Sequence, residues 1–158
     1  MKPTEGFNYE VKKIGNTNVG IFDVSGDPTQ YDVINIITKS VNISGIIFMV
    51  RINNQLDKLK EAQQALHLLF SNKYLNKGLK LFVIYNRSND EKESYDWMTQ
   101  QLFDNQMKLE VLKNTFDVEY NSAFHDCFQV ESLLSPSEQL ETKLLRFSNF
   151  LTNLIYSS

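Results

Sequence analysis

The residue types that nucleophilic catalysis requires stand side by side at His125, Asp126 and Cys127. A cysteine nucleophile needs a histidine base and a third group that orients the base, and all three must converge on one point. Adjacent residues on a strand or loop do not readily converge, because catalytic triads are assembled from separate parts of a fold. We therefore do not predict nucleophilic catalysis from this segment.

Asp90, Glu91 and Glu93 are candidate metal ligands, but acidic residues are also favoured at the start of a helix. We interpret them as the exposed start of a helix. His67 lies within an apolar helical pattern, where a histidine is usually structural. Cys127 is the single cysteine, which excludes an intrachain disulfide and argues against a cysteine-built metal site. We expect neither a metal nor a cofactor.

Gly15 and Gly20 have the spacing of the two glycines in the phosphate-binding loop G-x-x-x-x-G-K-[ST], whose main-chain N–H groups surround phosphates. Ile21 and Phe22 stand where that loop has its lysine and its hydroxyl residue, and both glycines lie in a strand-like pattern. The motif does not occur elsewhere in the 158 residues. The sequence thus predicts no phosphate-binding loop within them.

Strand-like segments must position these residues. Continuous β-branched and aromatic runs at Ser44–Val50 and Leu79–Tyr85 are typical of parallel strands that are covered on both faces. Phe7–Ile14 and Val19–Val24, joined by a Gly-Asn turn, predict an antiparallel hairpin. Thr115–Tyr120 alternates between apolar and polar residues, which predicts a more exposed edge strand.

Apolar patterns with helical spacing separate the strands. They occur at Leu56–Leu69 and at Tyr95–Phe103. A third helix is predicted to start at Ser135–Glu138, which supplies a capping serine, a proline at the first helical position and a glutamate that reaches back to the cap. Its apolar face continues to Ile155. The alternation predicts an α/β layered fold, as a single domain over residues 1–158.

The net charge of −3 does not resemble the basic footprint of a nucleic-acid-binding protein. No apolar run is long enough to span a bilayer, and the N-terminus has no signal-peptide pattern. Lys2 follows Met1 where N-myristoylation needs glycine. We expect no nucleic-acid partner, no direct membrane anchor, and an intracellular location.

Pro3–Glu10 reads P-T-E-G-F-N-Y-E and resembles the switch I segment of Arf-family small GTPases, P-T-x-G-F-N-x-E. Phe22–Asp27 resembles the switch II segment, D-V-G-G-Q, at the family's separation from switch I. Asn86–Asn89 stands after a predicted strand, as does the base-recognition motif N-K-x-D. Ser122–Phe124 resembles the final base-contacting turn. The resemblance spans nearly the whole chain, in order.

The resemblance implies a three-layer α/β fold: a P-loop-GTPase-like (Arf-like) sheet with flanking helices. The first strand, the phosphate loop and the first helix of the family would be missing. That strand would lie between Val19–Val24 and Gly45–Val50, where unpaired backbone groups are costly. Three outcomes follow: the two strands pair directly, another chain completes the sheet, or the sequence is an incomplete gene product. We expect one of the first two.

Several motif residues depart from the family in ways that weaken nucleotide binding. Asp27 replaces the glutamine that orients the attacking water, and its charge would repel a γ-phosphate. Asn89 replaces the carboxylate that accepts hydrogen bonds from guanine, so an NH₂ donor would face a donor. The nucleotide-binding residues that the resemblance implies, as vestiges without function, are Thr4, Asp23, Gly26, Asp27, Asn86, Arg87, Asn89 and Ala123.

Three functions follow from the resemblance. We predict the first of these, a non-catalytic pseudo-GTPase that is not an enzyme and that acts as a structural or scaffolding subunit of a larger assembly; the other two are alternatives. Other protein subunits would then complete the sheet or cover its exposed face. The second is a GTP-binding switch or GTPase completed by another chain. The third is an adaptor in membrane or ciliary trafficking that binds Arf-type effectors through the hairpin. The expected location is cytosolic, including a ciliary or organellar assembly.

Overall fold

A computed structural model describes residues 6–52, 56–87 and 100–126 of the chain. Strands and helices alternate through these ranges, and a short 3₁₀ turn at Pro28–Gln30 precedes the first helix. In chain order the elements are β1 (Phe7–Ile14), β2 (Thr17–Val24), α1 (Tyr31–Ser40), β3 (Gly45–Ile52), α2 (Leu56–Phe70), β4 (Lys80–Arg87), α3 (Gln100–Gln106), α4 (Leu109–Phe116) and β5 (Glu119–Asp126).

The predicted antiparallel hairpin is confirmed. β1 and β2 pair from Phe7 opposite Val24 to Ile14 opposite Thr17, with two residues in the turn. Gly15 is the first of these and has a φ of 59°. Asn16, the second turn residue, does not have a positive φ, so the turn is of type II′, whose twist matches that of the strands. Glycine adopts a positive φ without steric cost.

The parallel strands predicted from the two continuous apolar runs are also confirmed, but the predicted cover on both faces is wrong for β3, where Ile47 and Met49 are exposed. β3, β4 and β5 form one sheet in the order β3-β4-β5, and both pairings are parallel. β4 is central, and its residues Leu81, Phe82 and Val83 are all buried. Because successive side chains on a strand face opposite sides, this burial means that β4 is covered on both faces. The molecule is thus a mixed α/β protein.

The hairpin and the parallel sheet are separate sheets. We had expected β2 and β3 to pair directly or to receive a strand from another chain, and in the described ranges they do not pair with each other. In the described ranges β3 is hydrogen-bonded to β4 along one edge, and β2 is hydrogen-bonded to β1 along one edge. Direct closure of the sheet is therefore not observed.

Helix α1 was not predicted from the sequence. Its β-branched residues lower helix propensity, and they obscured an amphipathic pattern that buries Ile37 and Thr38. Thr38 donates its hydroxyl hydrogen to the carbonyl of Ile34 at 2.9 Å. Asn72, beyond the end of α2, donates to the side-chain oxygens of Asn35 at 2.8 Å and Thr38 at 3.2 Å. These bonds attach α1 to the loop between α2 and β4.

The edge strand predicted at Thr115–Tyr120 is present at the edge of the described sheet, but its predicted bounds were wrong. Helix α4 extends to Phe116, and Asp117 ends it in a left-handed conformation with a φ of 56°. Strand β5 starts at Glu119, so it lies further along the chain than the alternation indicated. The apolar residues of α4 at helical spacing, Leu109 and Leu112, are both buried.

Helix α2 matches the prediction closely. Leu102 and Phe103 of the second predicted helix lie in α3, whereas Tyr95 and Met98 lie outside the described residues. The helix predicted from Ser135 also lies outside them. His67 of α2 donates a ring N–H to the carbonyl of Met107 at 3.2 Å, since a carbonyl can only accept. This histidine therefore supports packing between helices.

The hydrophobic core lies between the parallel sheet and helices α2, α3 and α4. Its residues contact one another and are almost completely removed from solvent, and each large apolar side chain contributes about 1.5–3 kcal/mol on burial. The members of this cluster are Val50, Leu59, Leu66, Phe70, Leu79, Leu81, Val83, Tyr85, Phe103, Met107, Leu109, Leu112 and Val118.

Candidate functional site

The carboxyl ends of β3, β4 and β5 meet at one edge of the parallel sheet. Asn86 lies there, with Arg51 beside it on β3 and His125 beside it on β5. Crevices at this edge are where open α/β sheets bind ligands. Asn86 therefore lies at the edge of the sheet where such crevices form. Arg87 is the last residue of β4, and Asn89 lies outside the described residues.

The loop after β2 carries three more of the predicted residues. Asp23 is exposed near the end of β2, and Gly26 and Asp27 follow in the loop. The carboxylate of Asp27 accepts hydrogen bonds from the backbone N–H and the hydroxyl of Thr29, both at 2.9 Å. These two hydrogen bonds hold the pKa of Asp27 below its usual value, and the bond from the backbone N–H contributes more than the bond from the hydroxyl. Asp27 is therefore charged at neutral pH and is directed at its own turn.

One backbone hydrogen bond joins the loop after β2 to the residue that precedes β1. The N–H of Ser25 donates to the carbonyl of Gly6 at 3.3 Å, beyond the last strand pair. Ser25 is buried, and its hydroxyl oxygen accepts the N–H of Asp27 at 3.2 Å. Gly6 has a φ of 78°, a conformation that other residues rarely adopt. The segments resembling switch I and switch II thus meet at Gly6 and Ser25, while Thr4 lies outside the described residues.

One face of the hairpin is apolar, aromatic and exposed. Phe7, Tyr9 and Val11 alternate along β1 and are 48, 55 and 54% exposed. Phe22 of β2 lies opposite Tyr9, with ring centroids 4.7 Å apart, and 6.2 Å from the ring of Phe7. Gly20 makes room for the Tyr9 ring, because a Cβ there would lie 3.0 Å from the tyrosine oxygen. We call Phe7, Tyr9, Val11 and Phe22 the aromatic face.

Ala123 does not lie in a turn after the last strand, as we had expected. It lies within β5, opposite Ile84 of β4. Its neighbour Ser122 is buried and donates its hydroxyl hydrogen to Asp104 at 2.8 Å. The placement of this segment was wrong because the strand starts later in the chain than its alternation indicated.

Sequence reasoning missed the group around Asp104. This residue of α3 accepts hydrogen bonds from Tyr85 of β4 at 2.7 Å and from Ser122 of β5 at 2.8 Å. Burial raises the pKa of the Tyr85 hydroxyl well above its usual value, and the hydrogen bond to Asp104 raises this pKa by a smaller amount. The phenol therefore stays protonated and acts as a donor. One carboxylate thus fastens α3 to two strands.

The predicted residues fall into two groups in the structure. Asp23, Gly26 and Asp27 belong to the hairpin and its following loop, whereas Asn86 and Ala123 belong to the parallel sheet. Within the three described ranges, no group of three or more His, Cys, Asp or Glu residues could hold a metal ion. No helix in the same ranges is long and apolar enough to cross a membrane.

The sequence profile of the ADP-ribosylation factor (Arf) family matches residues 1–134. A comparison with curated proteins found no match. Arf proteins are GTPases and therefore enzymes, which contradicts our expectation that this chain is not an enzyme. Because the match covers most of the 158 residues and agrees with the α/β fold, the chain belongs to the ADP-ribosylation factor family.

Proposed function

We propose that this chain is a GTP-binding switch domain that reports the state of its nucleotide to a protein partner through the aromatic face of the β1–β2 hairpin. The observation that carries the proposal is the position of this face. It lies on the hairpin whose first strand begins in the switch I-like segment and whose second strand ends in the switch II-like segment.

The hairpin can couple the two segments because its ends are joined. Phe7 and Val24 are register partners, and the bond between Ser25 and Gly6 extends the ladder past them. A movement of one segment therefore pulls on the other and on the strands between them. The aromatic face would then move or change its exposure with the nucleotide.

The described residues offer part of a nucleotide site. Asp23 presents an exposed carboxylate, a ligand type that Mg²⁺ prefers, either directly or through water. Asn86 presents an amide, which both donates and accepts hydrogen bonds, at the carboxyl edge of the parallel sheet. A partner chain would supply the main-chain amides and the lysine that hold phosphates, so the nucleotide binding expected of this chain alone is weak.

The first test is nucleotide binding measured by thermal unfolding with Mg²⁺ and GTP, GDP or ATP. For a millimolar dissociation constant, several-fold excess ligand stabilises the fold by ~1 kcal/mol. That corresponds to a rise in Tm of about 2–4 °C for a domain of this size. We expect this rise with GTP and GDP and a smaller one with ATP.

The matched variants are Asn86→Ala, which should abolish the rise, and Asn105→Ala, an exposed asparagine on α3, which should retain it. The Tm of each variant without nucleotide shows whether folding itself has changed. Equal shifts with guanine and adenine nucleotides, or none with any of them, would contradict the nucleotide-binding part of the proposal.

The second test concerns the aromatic face. Exposed aromatic residues on a surface commonly mark binding sites for proteins, because their burial releases much apolar area. Phe7→Ala and Val11→Ala should each weaken capture of a purified Arf-effector domain. Val111→Ala is the matched control, since Val111 is an equally exposed valine on α4. If all three variants bind the effector as the unmodified chain does, the aromatic face is not the contact surface.

A second protein contact, at β3, belongs to this proposal. Ile47 and Met49 face the same side of β3 and are exposed, and in the described ranges the strand is hydrogen-bonded along one edge. A partner subunit would cover this face. Met49→Ser should therefore reduce the amount of any stoichiometric copurifying protein, whereas Val111→Ser should not. Equal recovery from both variants would exclude this surface.

A further inference from the structure

In the part of the chain that the structure describes, the outer edge of β1 is open. Within the described ranges β1 pairs with β2 on one side, and its residues from Phe7 to Lys13 are all exposed. An exposed strand edge presents unpaired N–H and C=O groups, which are a template for pairing with another strand. The sequence of β1 determines what kind of strand fits.

The hairpin geometry shows which backbone groups face outward. A two-residue turn is closed by a hydrogen-bonded pair, here Ile14 and Thr17, and hydrogen-bonded pairs alternate with non-hydrogen-bonded pairs along an antiparallel ladder. Asn8, Glu10 and Lys12 therefore bond to β2. The alternate residues of β1 direct their N–H and C=O groups away from β2. They are Phe7, Tyr9, Val11 and Lys13.

These outward groups limit how β1 can pair with a second β1. An outward residue must stand opposite an outward residue, so any register that is shifted by one residue is excluded. Among the antiparallel registers that remain near the centre of the strand, one places Glu10 opposite Glu10 and another places Lys12 opposite Lys12. Like charges directly opposite each other are destabilising. The register centred on Val11 avoids both contacts.

We propose that two copies of this chain associate through an antiparallel pairing of their β1 strands, with Val11 opposite Val11 at the two-fold axis. Glu10 of each copy then faces Lys12 of the other copy, which gives two cross-strand pairs of opposite charge. In the single chain these same side chains pair with each other, Nζ to Oε2 at 2.7 Å, and are 58 and 57% exposed. They are thus accessible for exchange between copies.

The opposite face of the strand supports the same register. Tyr9 of one copy stands opposite Lys13 of the other, which brings an ammonium group beside an aromatic ring, a favourable contact. The two hairpins form one four-stranded sheet, and a two-fold axis perpendicular to it puts both aromatic faces on one side. The pairing uses a strand edge and does not depend on a nucleotide, so it stands or falls separately from the proposed switch function.

Charge reversal tests the register. Glu10→Lys puts like charges opposite each other in its homodimer, and so does Lys12→Glu. Each variant should dissociate about tenfold more readily than the unmodified chain, because two attractive pairs become repulsive. Mixing the two variants places opposite charges together again and should restore association. Sedimentation velocity over a wide concentration range measures each case.

Glu61→Lys is the matched control, because Glu61 forms a similar exposed ion pair with Lys58 on α2, at 2.8 Å. It should leave association unchanged. Val11→Pro removes a central outward N–H while leaving the bonds to β2 in place, so it should abolish association without unfolding the hairpin, as circular dichroism would show. The proposal is overturned if the unmodified chain remains monomeric at every concentration, or if the mixed variants associate no better than each alone.

Discussion

Asp104 is the residue with the most clearly defined structural role in the parallel sheet. Its two oxygens accept separate hydrogen bonds, from Tyr85 and from Ser122, which lie on neighbouring strands. A hydrogen bond to a charged group contributes more than one between neutral groups. We therefore expect the loss of either donor to reduce stability.

Tyr85→Phe removes the donor from a buried ring and keeps its apolar bulk. We expect the free energy of unfolding to fall by ~1–3 kcal/mol, because the Asp104 carboxylate loses a charge-assisted bond. Urea unfolding measures the change. Tyr120→Phe is the control, since Tyr120 makes the same type of bond, to Glu110 at 2.9 Å, at a less buried site. An equal loss in the two variants would show that burial of the Tyr85–Asp104 bond has no special importance.

Alkaline pH should act on the same tyrosines. Burial, with a hydrogen bond to Glu110, raises the pKa of Tyr120 to about 12, and burial raises the pKa of Tyr85 further. A pKa raised in the folded state stabilises the fold below the unfolded-state value of ~10, and this contribution is lost as pH rises through the folded-state value. The buried Tyr85 reduces the free energy of unfolding by at most ~1.4 kcal/mol per pH unit above pH ~10, and the partly exposed Tyr120 contributes less because solvent screens its charge.

The unmodified chain should therefore lose stability from about pH 10 upward, and Tyr85→Phe should lose it less steeply, because phenylalanine does not titrate. Urea midpoints measured on both sides of pH ~10 give the two slopes. Parallel slopes for the two proteins would mean that Tyr85 ionises as readily folded as unfolded, contrary to its environment.

The sequence identified some site residues better than others, for physical reasons. Asp23 and Asn86 could be placed because each stands near the end of a strongly apolar strand pattern. Ala123 could not, because the strand that contains it shows weak periodicity. The group around Asp104 could not be predicted either. Tyr85, Asp104 and Ser122 are far apart in sequence, and tertiary packing alone brings them together.

At the scale of elements, the turn of the hairpin has a specific backbone requirement. Gly15→Ala forces a side chain into the left-handed region, which costs roughly 1 kcal/mol. Thermal unfolding should show a lower Tm. Gly26→Ala is the control, because Gly26 does not have a positive φ and a Cβ there meets no atom within 4 Å. Similar losses from both substitutions would argue against a turn-specific effect.

The predictability of each element follows from how strongly its pattern is set by burial. β3 and β4 were identified because continuous apolar runs leave little alternative. Helix α1 was missed because its isoleucine and valine residues favour strands locally, and tertiary contacts such as the Asn72–Asn35 bond override that preference. Helix α4 was missed because the alternation at Thr115–Tyr120 straddles its end and the start of β5.

At the scale of the whole molecule, the buried apolar residues in the described ranges lie between α1 and β5, outside the hairpin. A region with few buried apolar contacts opens at a lower free energy than the core does. Native-state hydrogen exchange should therefore show protection of the bonded hairpin amides, such as those of Glu10 and Val19, at least about a hundredfold lower than at Leu81 and Val83 in β4. Equal protection in both sheets would mean that the hairpin unfolds only together with the core.

The separation of the two sheets also has a mechanical consequence. Phe7 and Val24 lie side by side at the open end of the hairpin. Tension applied to the chain at these two residues would load the hairpin's bonds one pair at a time, as in unzipping. Strands β3 and β4 run parallel, so tension along them would load many bonds together, in shear. The hairpin should consequently unfold at a lower force than the parallel sheet. The parallel sheet would then stay folded while the switch-like segments are pulled apart.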